Sequence, residues 1–415
     1  MSKVLQVALG VVAALGGFVD IGELVFNSQA GAVFGYQLLW TVPIGVIGIA
    51  TYAEMCGRVA TITKRPVFDV VRQRLGFGPG LVTLIASGAI NILTVAAEVG
   101  GIALVLQLYF ADLPFRILLL IAAVVIVFLV WVLPFEGIER VFGYGGLLLA
   151  VYIVAAVHLH PDWGDVASGF VPHWQTGQDT LIYWYFAVGV IAAAMVPYEV
   201  YFYSSGAVEE GWDESEGDLA VNRVNALFGF ALGGVFSVAL IVVAAVLFHP
   251  IGVNPEFLGT TALGAQISFG QTGLLLAALG MMFAIGGAAI EGSFAGAYSF
   301  AQFLGWEWGK SKKARKTRKA PGFTSAWIFL FVVAFIIDLT GANPVLITEY
   351  SVVLAVVALP LTYLPILLIA RDERYMGKHV NGRLANLLGI FYLGLLTVVS
   401  LVALPLLFAT NHGSG

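Results

Sequence analysis

Two carboxylates stand inside an apolar stretch, Asp20 and Glu23, within Gly16-Gly17-Phe18-Val19-Asp20-Ile21-Gly22-Glu23. The apolar run begins at Val4 and is long enough to span a bilayer. A carboxylate at that depth costs at least about 2.5–3.5 kcal/mol, so it marks a polar cavity, an ion path or a buried ion pair. Nearly every Lys and Arg lies outside the apolar segments, which argues against the ion pair. The chemistry of such a site is cation binding by carboxylate and backbone carbonyl. Gly22, between the two acids, is where an opened helix would expose those carbonyls. A second constellation follows in Ala193-Ala194-Met195-Val196-Pro197-Tyr198-Glu199. Pro197 lacks an N–H and predicts a break in mid-span, with Glu199 two residues on. Gly17, Asp20 and Glu23 step by three, as do Ala193, Val196 and Glu199, a spacing that predicts one helical face in each segment. The carbonyls of Gly17 and Ala193 would join the carboxylates.

The elements that must position these residues are membrane helices. Of 415 residues, 60% are hydrophobic and only 11% charged, and the mean hydropathy is +0.93. Soluble domains run at about 45–50% apolar and 25% charged. Windows of about 20 apolar residues mark eleven candidate spans. They fall near 4–26, 39–62, 80–108, 114–134, 141–158, 181–206, 222–248, 270–304, 323–340, 344–370 and 386–409. The third and eighth are long enough to require tilt or extension beyond the bilayer. Lys3 is followed by one continuous apolar run without a small-residue processing motif, which reads as a first span. With the N-terminus cytoplasmic, all of the 20 Lys and Arg except Arg116 fall on the cytoplasmic side. The expectation is an integral membrane protein of a bacterial plasma membrane, with the C-terminus extracytoplasmic.

The chain reads as one transmembrane domain over 1–415. Spans one and six are five apart, as two inverted repeats would place their discontinuous helices; the repeats would run over 4–158 and 181–370, with 386–409 as an extra helix. Residues 310–319 form a polybasic run that reads as a topology anchor on anionic lipid. Residues 209–218 are acidic and read as a solvated loop near the inner mouth. Cys56 is the single cysteine, which excludes an intrachain disulfide and a multi-cysteine metal site. No P-loop, activated nucleophile or soluble substrate domain points to an enzyme or to nucleic-acid binding, and no cofactor is expected.

These motifs resemble the natural resistance-associated macrophage protein (NRAMP) family of divalent metal transporters. That family carries Asp-Pro-Gly-Asn in its first helix and Met-Pro-His in its sixth. The matching positions here read Asp20-Ile21-Gly22-Glu23 and Val196-Pro197-Tyr198. The stretch Gln29-Ala30-Gly31 to Gly35-Tyr36-Gln37-Leu38-Leu39-Trp40 is also similar, and looser matches include Glu54-Met55-Cys56-Gly57-Arg58, Ala97-Glu98 and Gly137-Ile138-Glu139-Arg140-Val141. The resemblance implies an all-α membrane fold of eleven helices, ten of them in a LeuT-type 5+5 inverted repeat with helices 1 and 6 discontinuous. It also implies a metal site at Asp20, Glu23, Gly17, Ala193 and Val196.

The departures from the family pattern set the expected ion. An amide position has become Glu23 and a thioether position has become Val196, with Glu199 added nearby. Carboxylates, carbonyls and water suit Mg²⁺, Mn²⁺ or Ca²⁺, whereas sulfur suits softer metals. Mg²⁺ is the first expectation, and the pattern is similar to the NRAMP-related magnesium transporters. Met195 would restore sulfur only by a register shift. The family's helix-six histidines correspond to Tyr198 and Tyr203, and a helix-three acid to Val95, so transport is expected to proceed without proton coupling.

Tyr198, Glu98 and Glu291 are candidates for the ion pathway. Glu54 and Arg58, four apart, predict a helix ion pair with a structural or gating role. Glu349 is expected near the outer vestibule and Asp338 at the outer interface. Two alternatives keep the same fold: an organic cation held by the acids and by Phe18, Tyr198 and Tyr201, or a sensor that binds ions without moving them.

Overall fold

The computed structural model describes residues 19–173, 179–255, 258–309 and 320–413. Gly17, Phe18, most of the first span and the polybasic run 310–319 lie outside the described residues. Among the described residues the major elements are helices, as a bilayer demands of a backbone that finds no water to bond. In chain order these are α1 (Ile21–Phe34), α2 (Thr41–Thr63), α3 (Val67–Leu75), α4 (Phe77–Gln107), α5 (Phe115–Val132), α6 (Phe135–His158), α7 (Thr180–Ala193), α8 (Pro197–Glu210), α9 (Glu216–Ile251), α10 (Leu258–Leu304), α11 (Pro321–Leu339), α12 (Pro344–Ala370) and α13 (Arg383–Ala409).

Taking α7 and α8 as one interrupted segment, nine helical segments among the described residues are long and apolar enough to cross a membrane. The sequence predicts eleven. Of the other two, α2 has the length but carries Glu54 and Arg58 and is less apolar, and α1, with 14 residues, overlaps only the end of the first predicted span and runs on past it. The eighth segment begins at a break: the backbone is non-helical at Phe269 and Gly270, a shorter helix from Leu258 precedes it, and the helix that follows runs on to Leu304.

The interior is built on α10 and α4. They pack along each other, and α12 and α11 pack against α4 while α6, α8 and α11 pack against α10. From Ala284 to Ser299 every residue of α10 is buried, which requires the small side chains found there. On the other side α1 lies against α9, and a Cβ at Gly31 would fall 2.3 Å from the Ile241 carbonyl oxygen. The two backbones touch, so only glycine fits. At the periphery α5 and α13 present Phe128, Trp131, Leu387, Leu401 and Phe408 outward, as lipid-facing helices do.

The Glu54–Arg58 pair forms as its spacing predicts, with Arg58 Nε 2.9 Å from Glu54 Oε1. Arg58 also donates to the His379 carbonyl at 2.5 Å and to Asn381 Oδ1 at 2.6 Å, which ties α2 to the segment before α13. Asp338, next to the end of α11, is fully buried, and neither carboxylate oxygen has a hydrogen-bond partner. It lies beside α4, where a Cβ at Gly100 would be 3.1 Å from Asp338 Oδ1. Glu349, near the start of α12, pairs with His412, its Oε2 lying 3.4 Å from Nδ1. Cys56 is free and buried.

Candidate functional site

α1 and α8 start in the same way. Asp20 is the N-cap of α1, in extended conformation (φ −98°, ψ −177°), and Glu23 stands in the first turn. Val196 is the N-cap of α8, also extended, with Pro197 opening the helix and Glu199 in its first turn. Asp20 Oδ1 accepts the Glu23 amide at 2.9 Å. This is an N-terminal cap, and it satisfies one of the donors that a helix start leaves unpaired. The residue before a proline is driven to extended backbone, which accounts for Val196.

This corrects two expectations. Asp20 and Glu23 do not share a helical face, because Asp20 lies outside the helix. Gly22 does not open the helix, because it is already helical. Its use is contact. A Cβ there would lie 3.0 Å from Asp20 Oδ1, 3.0 Å from Val352 Cγ2 and 3.7 Å from the Ala193 Cβ. The missing side chain lets the ends of α1 and α7 meet beside α12.

Asp20 is the centre of what converges. It is buried, and Tyr198 Oη donates to its Oδ2 at 3.3 Å. Glu98, fully buried on α4, accepts the Ile21 amide with both oxygens at 3.3 Å. The start of α1 thus carries Asp20, Glu23 and Glu98, a placement favoured by the positive end of the helix. Ala193 ends α7, and the residue four later is Pro197, so its carbonyl lacks the N–H that would normally bond it. The neighbouring Met195 carbonyl is taken by Tyr363 Oη at 3.2 Å, and Tyr201 Oη donates to the Thr362 carbonyl at 2.9 Å. These bonds fasten α8 to α12.

Not all of the sequence-predicted ligands converge. Glu23 Oε2 accepts from Asn27 Nδ2 on its own helix and from Ser237 Oγ on α9. Asn27 is four residues on, so that bond is legible as a helical pair; Ser237 has no sequence signal. Glu199 lines a separate cavity whose described walls include neither Asp20 nor Glu23. The thioether of Met195 is packed against Gly48 of α2, where a Cβ would lie 2.6 Å from its Sδ, so no register shift brings that sulfur to the break. Gly17 is outside the described residues. Among the described residues no three His, Cys, Asp or Glu side chains form a ready-made metal cage. A cation at the junction would rely on Asp20, on carbonyls of the interrupted helices and on water.

The chain is 25% identical over 418 residues to the divalent metal cation transporter MntH of Staphylococcus haemolyticus, covering 95% of this chain and 90% of that one. It is 26% identical over 391 residues to the MntH of Deinococcus radiodurans, covering 90% and 83%. Among solved structures, the Eremococcus coleocola manganese transporter shares the fold with a TM-score of 0.76 at 18% identity, over 97% of this chain and 86% of that one. Mhp1, a nucleobase-cation-symport-1 family transporter, shares it more distantly at a TM-score of 0.59 and 15% identity, over 98% and 94%. The family model described as natural resistance-associated macrophage protein-like matches residues 10–405. The chain is an integral membrane protein that belongs to this family.

Proposed function

We propose that the protein carries a divalent metal cation across the membrane by alternating access, with Asp20 and the Ala193 carbonyl as ligands at the junction of the two helix breaks. The observation that carries this is the approach of the buried Asp20 to the end of α7, where a Cβ at Gly22 would lie 3.0 Å from Asp20 Oδ1 and 3.7 Å from the Ala193 Cβ, and where Pro197 offers no N–H to the Ala193 carbonyl. The matching N-cap positions of Asp20 and Val196, with Glu23 and Glu199 each three residues later, support an inverted repeat over 4–158 and 181–370 within an eleven-helix fold.

Mn²⁺ is the ion we put first. The relatives are named for divalent metal or manganese transport, and an oxygen donor set accepts Mn²⁺ as well as Mg²⁺. The preference for Mg²⁺ expected from the sequence draws no support from the relatives. It stands as the second reading because of one feature, the sulfur-free junction, with Val196 at the break and Met195 packed elsewhere. Tyrosines at 198 and 203, where the resemblance places histidines, support transport without a histidine relay. The organic-cation reading loses ground, since Tyr201 is bonded to Thr362 and packed on Phe68 with ring centroids 4.6 Å apart.

The test is uptake into proteoliposomes of Mn²⁺ and Mg²⁺ side by side, with internal pH recorded. Mn²⁺ uptake should fall at least about tenfold in Asp20→Asn, as expected for loss of a charged ligand. Uptake of neither ion by the unaltered protein sinks the proposal. Acidification that tracks metal entry overturns the uncoupled mode alone.

A further inference from the structure

Away from the junction, a cavity of about 40 Å³ is lined by Glu139 of α6, Glu199 and Glu210 of α8, Glu291 of α10 and Asn225 of α9. The rest of its described wall is mostly aromatic or small, and no Lys, Arg or His is part of it. Glu199 and Glu291 are buried, while Glu139 and Glu210 are partly exposed and mark the mouth. Glu199 is 3% exposed, and both of its carboxylate oxygens lack a hydrogen-bond partner. Asn225, 2% exposed, has an unpartnered Oδ1. Glu210 accepts from Trp212 Nε1 at 2.8 Å.

Carboxylates gathered in an apolar wall without a countercharge are costly, because each loses its hydration and repels the others. An excess of oxygen acceptors over donors is the chemistry that a hard cation neutralises. The volume holds an ion with about one to three waters. The carboxylates do not converge into a cage, which fits a partly hydrated ion rather than a stripped one. Glu199 directly follows Tyr198, the residue bonded to Asp20, and α8 runs from the break to the acidic stretch 209–218.

We propose that this chamber is a second binding station for a divalent cation, held by Glu199, Glu291 and Asn225 at its closed end and entered past Glu139 and Glu210. It rests on the transport reading above, and places the station between the helix break and the face that carries residues 209–218.

Mn²⁺ titration of the purified full chain, followed by electron paramagnetic resonance and calorimetry, tests it with Asp20→Asn and Glu291→Gln. The unaltered protein should bind two ions. Asp20→Asn should keep the chamber ion, and Glu291→Gln should lose it while raising the KM for Mn²⁺ uptake about tenfold. Equal stoichiometry and affinity in the unaltered protein and Glu291→Gln overturns the chamber. Should Glu291→Gln not fold, Asp20→Asn decides alone, since a variant that binds no Mn²⁺ overturns it equally. Failure of the transport reading looks different: two ions bound, with no uptake by the unaltered protein.

Discussion

At the scale of the residue, identity sets what the junction can hold. In the transport proposal Asp20 supplies the charge, and its carboxylate is oriented by Tyr198 and by the cap to Glu23. Glu98 holds the Ile21 amide and so fixes where α1 begins. Removing it in Glu98→Ala leaves a buried amide unbonded, a loss of about 1–3 kcal/mol. The expected readout is a lower unfolding temperature in detergent, with Glu98→Gln recovering most of it because the amide oxygen still accepts. Equal unfolding temperatures for Glu98→Ala and the unaltered protein would remove Glu98 from this role. Val196 is the other decisive identity. Val196→Met restores a thioether at the break, and Cd²⁺ should then compete with Mn²⁺ for uptake at least about tenfold better, following ligand softness. Unchanged Cd²⁺ competition would mean that side chain 196 does not face the ion.

At the scale of the element, a helix break trades stability for an exposed carbonyl. Pro197 costs the segment one backbone hydrogen bond and leaves Val196 extended. Pro197→Ala gives Ala193 its donor back, while at the first position of α8 proline itself carries little helix penalty, so any gain comes from the restored bond. The variant should unfold at the same or a higher temperature while its Mn²⁺ uptake falls. Lower stability together with normal uptake would show that the break is held by packing alone. Tyr363 and Tyr201 supply some of that packing, since they anchor both sides of the break to α12. Gly22 and Gly31 let α1 reach its neighbours, so most changes there act through helix contact before they act on the site.

At the scale of the whole molecule, charge placement sets orientation. Lys378 is exposed beside the Arg58 network, and Ser168 lies at the end of a short helix after α6, on the side to which only Arg116 falls. Cys56 is buried, so a membrane-impermeant thiol reagent should not reach it. Lys378→Cys should therefore be labelled only after the membrane is opened, and Ser168→Cys in intact cells. The reverse pattern would invert the topology, and with it the side on which the Glu139–Glu210 mouth opens. The same network joins α2 to the segment before α13.

What the sequence determined by itself was local or statistical: apolar length, the punctuation at Pro197, the four-residue pairing of Glu54 with Arg58, and the depth of Asp20, Glu23, Glu98, Glu199 and Glu291. These follow from hydropathy, from a missing N–H and from helical spacing, all readable along a single chain. Only the tertiary structure decided where those acids point. Glu23 turns to Ser237, more than 200 positions away, and Glu199 lines a cavity together with Glu139 and Glu291. Asp338 is buried against α4, a contact that its own sequence neighbours do not show. Depth in the membrane is encoded by a residue's own neighbours in the chain. The partner of a buried side chain is chosen by which helices pack together, and that depends on the shapes of all of them.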